Sequence, residues 1–579
     1  MKVFIDTNIL IDIGARVDAY PDSFKLVNEL LGSSMFSLWV SAISINNIEY
    51  IVPKLNSKEK SLALLNLIRD EFSIIPFRKS NFIRAMEYDN ADFEDAIQIA
   101  SAEQLNVDCI VTRNGSDFKN CKMPVLTPTE FLEKWNSGNL IDSTTTIPFL
   151  DLKAQHHQIY NEIDDRMTDI IANTGFILGK YVEEFEKGFA KLQGAKYCIG
   201  VSSGTDALHV ALLALDIGPG DEVIVPVNTF IATAEAVSLC GAAPVFVDCD
   251  EYYNMDVVKV EEVLRQRAGR AEGEKVRRGE GETGRRGQEQ KVRRGEDRKS
   301  RNGITAIIPV HLYGQPANMD AIMDLAEEFD LKVVEDCCQA HMAKLHGNKL
   351  GNFGHFGAFS FYPGKNLGAY GEAGALNTND EELFNKAKMI RQHGEIQRYH
   401  HKHVGHNYRM SAFQGAVLGV KLKYIEEWTH KRQKCVQIYN KLLEDVEGVK
   451  TPGEIEDASC VYHLYVIQAD DRDGLQQYLQ ENGVASGLHY PVPLHLQEAY
   501  RELGYRKGDF PIAEEAAEKI LSLPMYPELT EEQIVYVCDV IKGWEEMKVR
   551  KKVRRLGTEK EGEKVRRWGT KKEGEKIRR

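Results

Sequence analysis

The stretch Lys332-Val-Val-Glu-Asp336-Cys-Cys-Gln339-Ala-His341 sets the fold class. Its paired valines suit a short strand buried on both faces, as in a parallel sheet covered by helices. Working outward, residues 197–201, 222–225, 244–248 and 304–310 are further short apolar runs, each followed by a turn or a helical stretch. Strands alternating with helices predict an α/β domain with a mostly parallel sheet. Ligands in such sheets gather outside the carboxyl ends of the strands, and Asp336 stands at one of them.

The whole chain of 579 residues is long enough for two or three domains. Residues 1–136 form a smaller α/β pattern, with Val3-Phe4-Ile5 and Cys109-Ile110-Val111 as buried strands. A polar stretch at 137–146 reads as a linker, and the larger pattern occupies 147–546. Glu272-Gly-Glu-Lys-Val-Arg-Arg-Gly279 recurs near residue 290 and twice in the last twenty residues. These repeats have dense charge and almost no aromatics, so 267–302 is expected to be an unstructured insertion and 547–579 an unstructured tail. Glu alternates with Arg in them, and the net charge of −14 argues against a chain that works mainly as a polycation on nucleic acid. The start Met1-Lys-Val-Phe-Ile-Asp6 is no signal peptide, no apolar run spans a membrane, and the scattered cysteines form no disulfide or metal pattern. A cytoplasmic protein is expected.

Four segments of the larger domain suit one chemical task. Val201-Ser-Ser203-Gly204-Thr205 follows a strand and opens a helical pattern, where free N–H groups and hydroxyls bind phosphate, although Ser-Gly-Thr is also an ordinary helix cap. Asp336 can hold a pyridine nitrogen protonated, or simply cap the next helix. Gly357-Ala-Phe-Ser360-Phe-Tyr-Pro-Gly-Lys365 sets a lysine among Gly, Pro and aromatics, where partial desolvation would supply the neutral amine for a Schiff base. In Pro226-Val-Asn-Thr-Phe230-Ile-Ala-Thr, at another strand end, Phe230 could stack on a flat ring or belong to the core.

Together these segments resemble the DegT/StrS family of pyridoxal-phosphate (PLP) sugar aminotransferases. The resemblance extends over Ile147-Pro-Phe-Leu-Asp-Leu152, Pro309-Val-His-Leu-Tyr-Gly314, Asn407-Tyr-Arg-Met410 and His489-Tyr-Pro-Val-Pro-Leu-His495. It implies a fold-type-I architecture, a mostly parallel sheet plus a small C-terminal α/β subdomain. It also implies roles: Lys365 carries the cofactor and shuttles the proton, Asp336 pairs with the ring nitrogen, and Gln339 meets the phenolate oxygen. Ser203, Gly204, Thr205 and Ser360 hold the phosphate, and Phe230 stacks on the ring. Asn407 reaches the phosphate of a second subunit, implying a homodimer with shared sites, and His489 and Tyr490 lie near the sugar. Lysine rather than histidine at 365 favours transamination over the family's dehydratase branch. Met342 stands where the family usually has Gly and is expected to crowd the pocket rim.

The smaller domain carries its own acids. Phe4-Ile-Asp6-Thr-Asn8 ends a strand on a carboxylate, Glu49 lies in an apolar-periodic stretch, Asp92 and Asp95 share a helix face, and Asp117 follows a later strand. Carboxylates gathered at one edge repel unless a hard divalent cation, Mg²⁺ or Mn²⁺, neutralises them and activates water. Their order resembles the PIN domain, a small metal-dependent ribonuclease fold. The resemblance implies Asp6, Glu49, Asp95 and Asp117 as metal ligands and RNA as a partner. Two readings therefore stand: an aminotransferase acting on a nucleotide-linked keto-sugar with glutamate as donor, for polysaccharide or glycoconjugate synthesis, or a PIN-type ribonuclease whose larger domain is a scaffold.

Overall fold

The computed structural model of the protein describes residues 1–33, 36–88, 92–105, 107–119, 121–137, 146–279 and 303–548, with side chains up to 268 and again from 303. The chain forms two compact units, Met1–Thr145 with Lys153–Asp165, and Thr146–Leu152 with Arg166–Arg579. Most of the expected linker, 138–145, lies outside the described residues.

The first unit is built on five parallel strands in the order Phe72–Ile75, Ser37–Ser41, Lys2–Ile5, Cys109–Val111, Val125–Leu126. Val3 and Ile5 face a cluster with Leu26, Ile48 and Phe131, while Phe4 faces another with Trp39 and Ile99. That alternation is the period of a strand buried on both sides.

The second unit holds a seven-stranded sheet. Its order is Tyr197–Val201, Gly374–Thr378, Phe356–Ser360, Lys332–Asp336, Ile304–Ile307, Glu222–Pro226, Ala243–Val247. Gly374–Thr378 runs against both neighbours and every other pairing is parallel. The Phe356–Ser360 and Gly374–Thr378 strands are not among the sequence expectations. Ile224, Ile307, Val333 and Phe359 face one hydrophobic layer, and Val223, Ala306, Val334 and Phe356 the other. Helix Val257–Gly279 runs into the first repeat, so the insertion expected from residue 267 begins as helix instead. Val260 and Leu264 anchor it in the core, and the Arg, Lys, Glu and Ala of its later turns are good helix formers. The remainder of that insertion, 280–302, and the tail from 549 lie outside the described residues.

A smaller C-terminal layer has antiparallel strands Val449–Lys450, Tyr465–Ala469 and Ile520–Leu523. They share a core of Tyr439, Tyr465, Leu475, Leu521 and Ile534 with helices Ile425–Leu443 and Arg472–Glu481 and one over 531–548. Among the described residues no helix is long and apolar enough to cross a membrane.

Candidate functional site

Because Gly374–Thr378 is antiparallel to both Tyr197–Val201 and Phe356–Ser360, those two strands point the same way as Lys332–Asp336 and Glu222–Pro226. The four motif segments therefore leave the sheet at one edge. Helix Gly204–Ala214 starts there, capped by Ser203 Oγ, which accepts from Asp206 N at 3.0 Å. A Cβ on Gly204 would come within 2.6 Å of the Ser360 Cβ and 3.1 Å of Cys338 Sγ. Only glycine lets the helix start press against Ser360, which places a hydroxyl beside the N–H groups of the first turn. Such a corner suits a phosphate.

Asp336 is buried at its strand end, with Oδ2 accepting from Thr233 Oγ1 at 2.8 Å and Oδ1 from Cys338 N at 3.1 Å. Gln339 is held at both ends. Its Oε1 accepts from Tyr313 N at 2.7 Å and its Nε2 donates to the Tyr490 hydroxyl at 3.1 Å. Tyr313 adopts a left-handed backbone, φ 60°, which aims that N–H at Gln339. Lys365 keeps some solvent exposure, yet burial holds its ammonium below the usual lysine range against the opposing charges of Cys338 and Asp336. Neutral amine is thereby made available.

His489 stacks on Phe149 at 5.6 Å, with Nδ1 2.9 Å from Ser522 Oγ. Burial, then the Lys365 charge, pull its imidazole down to about 4. Phe230 is 53% exposed and lies 5.7 Å from the Tyr490 ring, so it is available to a flat ligand rather than spent in the core. Asn407 is exposed, its Oδ1 accepting from Arg409 Nε at 2.9 Å, and no hydrogen bond among the described residues links it to Asp336, Gln339 or Lys365.

Sequence reasoning passed over Thr233 and Tyr313. Thr229 and Thr233 stand four apart just after a strand, a spacing that puts two hydroxyls on one helical face, and this was the available signal. Met342 corrects an expectation: it is buried in the hydrophobic layer with Phe185 and Phe189, not at the pocket rim. Its φ of 73° gives the physical reason for a glycine preference there. His341 is fully buried among Phe189, Phe359 and Phe361, its ring nitrogens without a well-formed hydrogen bond among the described residues, and burial followed by the Lys365 charge pulls it to about 3. His311, Glu335 and Cys337 also cluster, but both His311 nitrogens are engaged, by Ala317 N and by Glu335, which makes the group a closed structural network.

In the first unit Asp92, Glu94, Asp95 and Asp117 line a cleft of about 710 Å³. Asp6 is fully buried, its Oδ2 accepting from Thr112 Oγ1 at 2.7 Å, while Oδ1 has no partner among the described residues. Burial raises the Asp6 carboxyl. Asp95 is pushed up to about 7 by burial and then by Asp6, Asp92, Asp117 and Glu94. Asp117 and Asn114 stand on the cleft wall. Glu49 does not: on helix Ala42–Leu55 it is exposed, whereas Asn47 and Ile51, one turn apart, face the cleft. Glu94 supplies the further acid, its Oε1 accepting from Thr7 Oγ1 at 3.1 Å. An orphaned carboxylate oxygen among acids of raised proton affinity fits a hard divalent cation.

Comparison with known proteins bears on both units. The DegT/DnrJ/EryC1/StrS aminotransferase family matches residues 157–542, and the PIN domain matches 2–116. A Geobacillus stearothermophilus pleiotropic regulatory protein is 41% identical over 398 residues, covering 68% of this chain and 97% of its own. An Acidithiobacillus ferrooxidans UDP-N-acetyl-3-dehydro-alpha-D-glucosamine 3-aminotransferase is 39% identical over 399 residues, covering 69% and 98%. Among solved structures, Streptomyces venezuelae DesV, in complex with a ketimine intermediate, superposes with a TM-score of 0.61 at 37% identity over 69% of this chain and 99% of its own. Bacillus subtilis NtdA with bound cofactor PMP gives 0.59 at 28% over 75% and 95%.

Proposed function

Since this chain belongs to the DegT/DnrJ/EryC1/StrS aminotransferase family, we propose that its larger unit transfers an amino group from glutamate to a keto-sugar carried on a nucleoside diphosphate. The observation that carries this reading is the meeting of Lys365, Asp336 and Gln339 with the Ser203–Gly204 turn and Ser360 at one sheet edge. That donor set fits PLP: a carboxylate for the ring nitrogen, an amine of lowered proton affinity, and a helix start with a hydroxyl for the phosphate. Bound PLP supplies an aldehyde and an electron-withdrawing ring.

The protein's residues supply the rest. Lys365 would hold bound PLP through its amine and, once released from it, would take and return the proton at the substrate carbon. Asp336 keeps the ring nitrogen protonated. Gln339, fixed between Tyr313 and Tyr490, orients the phenolate side, and Phe230 covers the ring face. His489, neutral at physiological pH, and Tyr490 border the sugar, and together with Phe149 they exclude water. A relative that acts at carbon 3 favours a 3-keto sugar, and the product suits polysaccharide or glycoconjugate synthesis. The exposed Asn407 completes the phosphate site of a second copy, so the working form is a homodimer. Ten unpaired cysteines suit a cytoplasmic enzyme. The test is a panel of nucleotide-linked 3-keto and 4-keto sugars with glutamate as donor. Turnover of a 3-keto member is expected, and no turnover of any member would overturn the reading.

A second activity is favoured by one observation, the buried Asp6 Oδ1, which has no hydrogen-bond partner among the described residues and lies close enough to Asp95 of the acidic cleft to raise its carboxyl. We propose that Asp6, Asp95, Asp117 and Glu94 gather Mg²⁺ or Mn²⁺ there for RNA hydrolysis. Mn²⁺-dependent cleavage of RNA that Asp6→Asn abolishes is the expected result. Cleavage that survives this substitution would remove the proposal.

A further inference from the structure

Asp336 does not stand alone in its site. Its Oδ2 takes a hydrogen bond from Thr233 Oγ1 at 2.8 Å, and Thr233 Oγ1 lies 3.0 Å from Thr229 Oγ1. Both threonines are buried, on and just before helix Ala232–Leu239. An ionised carboxylate can only accept, so the single Thr233 proton points at Asp336. Thr229 must then be the donor to Thr233. The order Thr229 → Thr233 → Asp336 is fixed by this logic, and each member polarises the next toward the carboxylate. Cys338 N–H satisfies the other oxygen.

We propose that Thr233, backed by Thr229, is a positioning residue that fixes the Asp336 carboxylate at its strand end and thereby sets the strength with which the site holds PLP and withdraws electrons through it. This rests on the aminotransferase reading above. A buried carboxylate without such donors takes up a proton rather than staying charged. The titratable groups around Asp336 are Lys365, Cys337, Cys338 and Tyr490; the hydroxyl relay reaches it from a different helix.

The test uses the full chain and PLP itself. Thr233→Val keeps the side-chain volume and removes the hydroxyl; Thr233→Ser restores it; Thr229→Val removes only the outer donor. Loss of one hydrogen bond to a charged group predicts an affinity for PLP about tenfold weaker in Thr233→Val, with a comparable fall in kcat and little change in KM for the sugar. The pH midpoint of the visible band of lysine-bound cofactor should move as well. Thr229→Val should show about two- to threefold effects, and Thr233→Ser should return to wild type. Wild-type affinity, kcat and spectral midpoint in Thr233→Val would overturn the proposal, as would equal impairment of Val and Ser variants, which would indicate packing. Failure of the wild type to take up PLP would instead overturn the reading on which it rests.

Discussion

Replacing Glu335 by Gln tests how the strand that presents Asp336 is held. Glu335 and His311 are fully buried. Glu335 Oε1 accepts from Phe353 N and Gly354 N at 2.8 Å each, and Oε2 from Gly351 N at 2.7 Å and His311 Nε2 at 3.2 Å. His311 Nδ1 accepts from Ala317 N at 3.0 Å, so its proton sits on Nε2 and points at the carboxylate. Four donors thus converge on two oxygens. A glutamine must turn its amide NH₂ toward two of them, leaving one or two buried N–H groups without an acceptor and every remaining bond without its charge. At about 1–3 kcal/mol for each orphaned group, the loss should be about 3–5 kcal/mol. Denaturant unfolding of the full chain measures it on the transition of the larger unit, which added PLP identifies by shifting it upward. The loop 351–354 is tied through this carboxylate to the strand that presents Asp336, so uptake of PLP should weaken too. A loss below about 1 kcal/mol would refute the assignment of these four bonds as the anchor of that strand.

Asp95 is raised to about 7 in the folded chain. For an acid raised on folding, ionisation between pH 4 and 7 costs stability, so Asp95→Asn should stabilise the first unit at pH 7.5. After solvent screening the gain is about 1–2 kcal/mol in thermal unfolding. The same variant should lose any Mn²⁺-induced rise in melting temperature, and an undiminished rise would count against the cation site. Gly204→Val drives a Cβ into Ser360, which it would meet at 2.6 Å. PLP affinity should fall by at least about tenfold with circular dichroism unchanged; unaltered affinity would remove the cradle. His341 is depressed to about 3, so as pH falls below its unfolded value of about 6.5 the unfolded chain takes up a proton that the folded chain does not, and stability is lost. His341→Leu should therefore lose less stability than wild type between pH 7 and pH 5, as read by denaturant midpoints.

Much of the second unit was legible because strand ends and helix starts carry residues of unusual chemistry. Asp336 and Lys365 stand out by their neighbours and Gln339 by the family resemblance, and the sheet edge near which they lie follows from parallel topology. Phe356–Ser360 and Gly374–Thr378 were not legible as strands. Their Gly, Ala and Ser content looks like turn, and the close packing of Gly374 against the Ser203 carbonyl and of Gly357 against Gly351 explains why small residues are needed there. Glu49 illustrates a different limit. A lone acid in an amphipathic helix does not say which face meets the cleft, and two positions from Asn47 turn a side chain nearly to the opposite side. Glu94, beside the expected Asp95, takes that place. The repeat at 272–279 is dense in charge, which argued for disorder, and helix Val257–Gly279, anchored by Val260 and Leu264, reaches to its end.

The most direct measurement is amino transfer from glutamate to a UDP-linked 3-keto hexose, followed as 2-oxoglutarate released by the PLP-loaded full chain and by Lys365→Ala. The account predicts turnover and a visible cofactor band in the wild type and neither in the variant. A wild-type chain that neither binds PLP nor releases 2-oxoglutarate, or a Lys365→Ala chain that turns over unimpaired, would contradict it.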